Sequence, residues 1–466
     1  MKTDIGPQLP APSLPQSLLC FLVIILIIGC GLFVFAIDLH VLMFLCLLWA
    51  GGNAHFLGYD FPEIRVLMSE AINRALPAIY IFILIGMVIA SFMHSGTIAA
   101  LMYYGLQWLS PALFLPLGMI LCALMSVATG TSWGTVGTLG VVFMGIGGAM
   151  SMPLPLVAGM VVCGATFGDK MSPVSDTTNL AAMSAGTNLY RHIFSMLYTT
   201  MPAFALALLI FTVIGIGYNE SNLATSDINT IRDALVVNYD LSPLIALLPI
   251  IVLAVLSIRR VAPEVSMAAS IMVAAVVAVF YQGSSASTVL NALWANSPAN
   301  TGIASLDGLL GRGGIFSMAW TLILALMALA LGGILHGAGF LRVLLAGIIA
   351  RVQRVVALVG TTIASGFIGN LAMGEAYISI ILSCQLFQEK YRDKGIDPAV
   401  LSRSVEEGST MTTGLIPWTT AGAFYASTLG VPVLEYAPYA FFNYLNAIVA
   451  LVAASLGFGL LASKPD

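Results

Sequence analysis

The hydrophobic positions of this chain fall into long runs, several of them interrupted by Gly, Pro, Ser and Thr. Runs near the roughly 20 residues needed to cross a bilayer occupy 18–37, 41–57, 76–94, 112–128, 136–150 and 154–167. Others lie at 194–216, 244–258, 262–281, 315–335, 355–370, 377–387, 410–426 and 439–461. Some are too short for a full crossing, which predicts an all-α polytopic membrane protein with about 11 to 13 spanning or re-entrant segments.

Composition agrees with that pattern. Hydrophobic residues make up 59% of the 466 positions and charged residues 8%, against roughly 25% charge in an average soluble domain. Disorder is excluded by the apolar content. A net charge of −4 leaves no basic excess for nucleic acid. The first run is read as a membrane helix rather than a signal peptide, because many equally apolar runs follow it. The six cysteines form no Cys-x-x-Cys pair, so structural thiols are expected, with no disulfide framework and no zinc site.

Basic residues predict orientation. With the N-terminus in the cytoplasm, fourteen of the 17 Lys and Arg residues fall inside, among them Lys2, Arg191, Arg351, Arg403 and Lys464. Arg232 and Arg312 fall outside, in loops 218–240 and 283–313. The first of these loops also carries Glu220, Asp227, Asp233 and Asp240. Lys170 is left at membrane depth.

The two halves resemble each other at an offset near 242. "HSGTIAALMYYGL" from His94 pairs with "HGAGFLRVLLAGI" from His336, "GTSWGT" (130–135) with "NLAMGE" (370–375), and "MSPVSDTTNLAA" (171–182) with "GLIPWTTAGAFY" (414–425). Residues 95–110 hold no basic residue whereas 337–354 hold three, as copies of opposite orientation would. The expected organisation is N-terminal helices over 1–71, a first repeat over 72–218, a linker with two helices over 219–313, and a second repeat over 314–466.

The stretch "GATFGDKMSPVSDTTNLAA" (164–182) holds the densest candidate chemistry. Pro173 interrupts a helix, so two half-helices meeting at an unwound bend are expected. The freed carbonyls, Asp169, Asp176 and the oxygens of Ser172, Ser175, Thr177, Thr178 and Asn179 could replace the water around a small cation. A carboxylate within the bilayer costs at least ~2.5–3.5 kcal/mol on insertion scales, so one without a use is unexpected. A cytoplasmic loop with Asp169–Lys170 as a solvated pair is the plainer alternative.

"GDKMSPVSDTTNL", "LYRHIFSMLYTTMP" (189–202) and "LSRSVEEGSTMTTGLIPWTTAGAF" (401–424) together resemble the NhaC-type sodium/proton antiporters over nearly the whole chain. The resemblance implies a secondary transporter of a prokaryotic plasma membrane, built from inverted repeats with re-entrant hairpins. It also implies that the hairpin at 169–179 meets its partner at 414–422. The chain departs from the family pattern at Glu375-Ala376-Tyr377, where Asp-Gln-Tyr is usual. It departs again at Trp418-Thr419-Thr420-Ala421-Gly422, where Trp-Asn-Thr-Cys-Gly is usual. These positions and Asn370 are expected to line the site, so the departures bear on the substrate. Some family members resemble malate/lactate exchangers or amino-acid transporters.

Glu375 is a second candidate acid, since apolar surroundings favour the protonated carboxyl and suit proton exchange; an interfacial helix-end glutamate is the alternative. Glu406 and Glu407 are read as local partners of Arg403 on a cytoplasmic helix, and Asp38 as a surface residue. His94 and His336 close the first helix of each repeat, where interfacial placement is favoured over a relay. His192 reads as part of a basic cytoplasmic flank. Trp133 and Trp418 stand beside the breaks, to wall a cavity or to pack.

The expected mechanism is competition of Na+ and H+ for Asp176, with Asp169, under alternating access. Lys170 would neutralise Asp169 or meet an anionic substrate. No resident cofactor is expected beyond the transported Na+ and H+, and a homodimer is left open. Rival readings are exchange of a small organic solute, an intramembrane aspartyl protease using Tyr59-Asp60 and Gly168-Asp169, and a channel.

Overall fold

A computed structural model describes residues 11–218, 225–296, 299–349 and 352–461. Lys2, Glu220, Arg351 and Lys464 lie outside the described residues, as does the side chain of Asp227. The described chain is helical with no strand. Among the described residues, nine helices are long and apolar enough to cross a membrane, or up to eleven if each of two bent pairs is one span.

The chain begins with α1 (Leu14–Phe33), α2 (Leu39–Phe56) and the polar α3 (Phe61–Arg74). Asp38 caps α2, accepting from the His40 amide at 2.9 Å, and is exposed as expected. The first half continues with α4 (Leu76–His94), α5 (Thr97–Trp108), α6 (Pro111–Thr129), α7 (Ser132–Ala149), α8 (Leu154–Met171), α9 (Asp176–Ala185) and α10 (Leu189–Ile216). After α11 (Thr225–Asn238), two apolar helices, α12 (Leu248–Ile258) and α13 (Pro263–Phe280), lead to the short α14 (Ala286–Trp294). The second half holds α15 (Ile315–Gly337), α16 (Phe340–Ile349), α17 (Val355–Met373), α18 (Ala376–Asp393), α19 (Pro398–Gly408), α20 (Thr420–Leu429) and α21 (Phe441–Ser455).

The order of helices in the first half recurs in the second. The starts of α5, α6, α8 and α9 reappear 243 or 244 residues later as α16, α17, α19 and α20. The helix breaks align in the same way: α6 ends at Gly130 and α17 at Gly374, both left-handed, with φ 71° and 64°. In this register Glu375 corresponds to Thr131, and each caps the helix that follows it. Pairing Glu375 with Thr135 by sequence was off by four residues, because weak matches in small-residue runs carry little register information. The first helices of the halves run in opposite senses. The Gly314 amide donates to the Gly86 carbonyl of α4 at 2.7 Å. At the other end of α15, a Cβ on Gly333 or Gly337 would meet Leu67 of α3, the helix before α4.

Lipid-facing and interior faces separate clearly. Leu22, Leu26, Leu209 and Val213 stay exposed on α1 and α10, while Ser195, Thr199 and Thr200 of α10 are buried. Helices α6 and α8 pack backbone to backbone. Added Cβ atoms at Gly164 and Gly168 would collide with Met119 O and Ser126 Cβ. The four-residue glycine spacing thus lets the two backbones touch.

The apolar run 410–426 breaks after Thr413 and resumes at Thr420, because Pro417 cannot continue a helix ladder. One sequence reading is corrected. Helix α19 is no solvated cytoplasmic helix; every residue from Ala399 to Gly408, Arg403, Glu406 and Glu407 included, is buried.

Replacing Gly168 by Val should destabilise the protein by ~1–3 kcal/mol through overpacking against α6. Thermal unfolding in detergent would register this as a lower Tm. An unchanged Tm would show that the α6–α8 contact can relax.

Candidate transport site at two helix breaks

The first break follows from local chemistry. Pro173 has no amide hydrogen to donate, so α8 ends at Met171. The turn is then held by Ser172 Oγ donating to Val127 O at 2.8 Å and by the Ser175 amide donating to Ser172 O at 3.2 Å. Thr178 Oγ1 donates back to the carbonyls of Asp169 and Lys170 at 3.1 and 3.0 Å, and Asn179 Nδ2 to those of Pro173 and Ser175. The helix ends are tied together and oxygens crowd the gap.

Asp169 occupies this gap. One carboxylate oxygen accepts from Ser132 Oγ at the start of α7, and the other from Ser175 Oγ at the start of α9, each at 2.7 Å. Ser175 also meets Thr177 Oγ1 at 3.0 Å. A half-buried carboxylate is thus fixed by hydroxyls from two separate helix starts, with Thr177 Oγ1 as a further oxygen. Asp176 differs: it stands exposed in the first turn of α9. The two acids the sequence grouped are therefore unequal, Asp169 clamped and Asp176 open to solvent.

Lys170 does not neutralise Asp169. Adjacent residues on a helix point in different directions, and Lys170, fully buried, donates to Asn446 Oδ1 of α21 at 2.6 Å. Its Nζ lies 3.9 Å from Glu407 Oε1. The same oxygen lies 3.8 Å from Arg403 Nε and accepts from Thr199 Oγ1 at 2.5 Å. Beside it, His192 Nε2 stands 3.5 Å from Glu406 Oε2. This buried network was missed by sequence reasoning. Its signals were present: Asn443 and Asn446 within an apolar run, and the repeat offset, which places α19 opposite the start of α8.

At the second break, Asn370 Nδ2 donates to Ser409 O at 2.6 Å and to Thr412 Oγ1 at 3.0 Å, while its Oδ1, fully buried, has no partner. Thr413 Oγ1 is also buried without one. These are oxygens a cation could use. Thr419 caps α20, accepting from the Gly422 amide at 3.0 Å, and Thr420 donates its amide to Gly374 O at 2.8 Å. Glu375 is buried and caps α18 through the Tyr377 amide at 2.6 Å. Trp418 donates to Leu371 O at 2.9 Å, and Trp133 stacks on Phe424 with centroids 5.1 Å apart, so both tryptophans pack. Asn443 links the two broken regions, donating to Met411 O at 2.7 Å and accepting from Thr166 Oγ1 at 3.4 Å.

His94 meets Asn296 Oδ1 at 2.9 Å, and His336 is only partly buried. Asp60 is exposed and forms a capping box with Glu63 at the start of α3. Its carboxylate is engaged in that cap, and the Asp169 carboxylate in its serine clamp.

Recurring broken helices around a hydroxyl-clamped carboxylate define a polytopic carrier of small solutes. The profile of the Na+/H+ antiporter family matches residues 164–458. The chain belongs to that family and is a multi-pass secondary transporter rather than an enzyme. It is 36% identical over 445 residues to the Na+/H+ antiporter NhaC of Alkalihalophilus pseudofirmus, covering 95% of this chain and 96% of that protein. It is 31% identical over 401 residues, 86% of each chain, to a malate-2H+/Na+-lactate antiporter of Bacillus subtilis. Identity is also 31% over 466 residues to the arginine/ornithine antiporter ArcD of Halobacterium salinarum, covering 99% and 96%.

Glu407→Gln should cost ~3–5 kcal/mol of stability, because Lys170 and Arg403 lose their shared counter-charge in a buried setting. Lys170→Met combined with Glu407→Gln should cost at least ~1 kcal/mol less than the sum of the two single changes. Additive losses in thermal unfolding would mean that the two residues do not act on each other.

Proposed function

We propose that this chain exchanges Na+ for H+ by alternating access, with Asp169 as the carboxylate for which the two ions compete. The observation that carries this reading is the clamp on Asp169: two hydroxyls, one from each of two helix starts, fix its oxygens at a helix break. A Na+ ion takes hard oxygen ligands, which a carboxylate with serine and threonine oxygens can supply. A proton on the same carboxyl removes the charge that holds the cation, so each ion displaces the other. Asp176, at the open end of the break, attracts the cation into it, and Ser172, Thr178 and Asn179 shape the turn.

Glu375, Asn370, Thr419, Thr420 and Trp418 form the corresponding part of the second half, and the unpartnered Asn370 Oδ1 offers a ligand there. The opposed senses of α4 and α15 support inverted repeats, and rocking of one half against the other would open the site to each side in turn. The basic-residue count supports a cytoplasmic N-terminus, and the bacterial relatives support a plasma-membrane location.

A second reading is exchange of an organic acid or amino acid together with the ion. Two relatives carry such solutes in their names, and Glu375 and Thr419 depart from the usual family pattern. Uptake of radiolabelled malate, lactate or arginine into proteoliposomes that show no Na+/H+ exchange would establish it in place of the first.

Asp169→Asn should reduce sodium-dependent proton movement in everted vesicles to background. Asp176→Asn should retain turnover but raise the apparent KM for Na+ roughly tenfold, equivalent to ~1.4 kcal/mol. The reverse ranking would make Asp176 the principal carboxylate.

A further inference from the structure

Helices α10 and α19 together hold a second titratable pair that the exchange at Asp169 does not use. His192, in the first turn of α10, directs Nδ1 to Ser402 Oγ at 2.6 Å, which leaves Nε2 facing Glu406 Oε2 at 3.5 Å. Both side chains are fully buried. Neither Nε2 nor either oxygen of Glu406 has a hydrogen-bond partner. Three buried polar atoms without partners in so small a space are unusual, since such atoms nearly always find one. A single proton between Nε2 and Oε2 would supply the missing bond.

The surrounding charges leave room for that proton. Lys170 and Arg403 offset Glu406 and Glu407, so with neutral His192 the network carries no net charge, and one added proton makes it a monocation. The other groups facing Glu406 are Asp169 at the end of α8 and Cys384 of α18, and Tyr391 of α18 faces Arg403 and Glu407. Helices α17 and α21 present no Asp, Glu, Lys, Arg or His to it. An added positive charge so close to Asp169 disfavours a cation there, which would couple the pair to Na+ release. The preceding residue, Arg191, is about one-third exposed and pairs with Asp397, the cap of α19.

We propose that His192 and Glu406 form a proton-binding site separate from Asp169, loaded from the end of α10 where Arg191 reaches solvent. In the loading step a proton from solvent binds the Nε2 lone pair of neutral His192, giving an imidazolium that donates to the Glu406 carboxylate. Unloading breaks only the Nε2–H bond and returns that proton to solvent once the transporter has turned to the other side, with no other bond made or broken. This inference rests on the Na+/H+ reading above and adds a second seat for the proton.

The test compares two exchange modes in proteoliposomes for wild type, His192→Gln, Glu406→Gln and Glu406→Asp. One is isotopic Na+/Na+ exchange, which needs no proton; the other is Na+ movement driven by a pH gradient. The two Gln variants should keep Na+/Na+ exchange within about twofold of wild type and lose at least tenfold in pH-driven exchange. Glu406→Asp should recover most of the latter. Wild-type rates in both modes for both Gln variants would overturn the proposal, and so would parallel loss of the two modes, which marks a structural role. Wild-type protein that exchanges Na+ for Na+ but never for H+ would instead overturn the underlying antiport reading.

Discussion

Everything in this fold turns on keeping one carboxylate in a half-dry interior without letting it collapse onto a permanent counter-ion. An unpaired carboxylate is expensive to bury. A salt bridge would lower that cost but would also fill the position a transported ion needs. The clamp on Asp169 avoids both outcomes. Ser132 and Ser175 satisfy its oxygens with neutral donors, and Lys170, the adjacent basic residue, turns instead to Asn446. The break at Pro173 is what brings Ser175 within reach, and the close α6–α8 contact sets the helix that carries Asp169.

The direction taken by Lys170 follows from the same constraint. Had it turned toward Asp169, the pair would have been self-neutral and indifferent to Na+. It is instead drawn to Asn446 and Glu407, in a network whose formal charges cancel. That network stitches α8, α10, α19 and α21 together, so the helices that meet at the two breaks share one set of buried polar contacts. Balanced burial of this kind is costly to disturb by a single change, which makes it a stiff frame for the softer site beside it.

Much of this was legible in the sequence. Run lengths located α4 at both ends, and Pro173 with its flanking serines predicted the first break, because both signals are local. The second break came only through the family resemblance, because Thr410–Ala426 reads as one apolar stretch in which Pro417 and the cap at Thr419 alone mark where it parts. The burial of Arg403, Glu406 and Glu407 was not legible for a different reason. Charge within α19 looks the same along the chain whether its partners are water or Lys170 and His192, which come from distant segments. The clamp on Asp169 was hidden likewise, since it depends on Ser132, 37 residues away.

Proton release on Na+ binding tests the central claim most directly. Purified protein in weakly buffered solution, below the pH at which its site carboxyl is fully ionised, should acidify the medium when NaCl is added. Choline chloride should leave the pH unchanged, and Asp169→Asn should abolish the Na+ response. Saturable Na+ binding without proton release at any pH would contradict competition for a shared carboxylate, and with it the account given for this site.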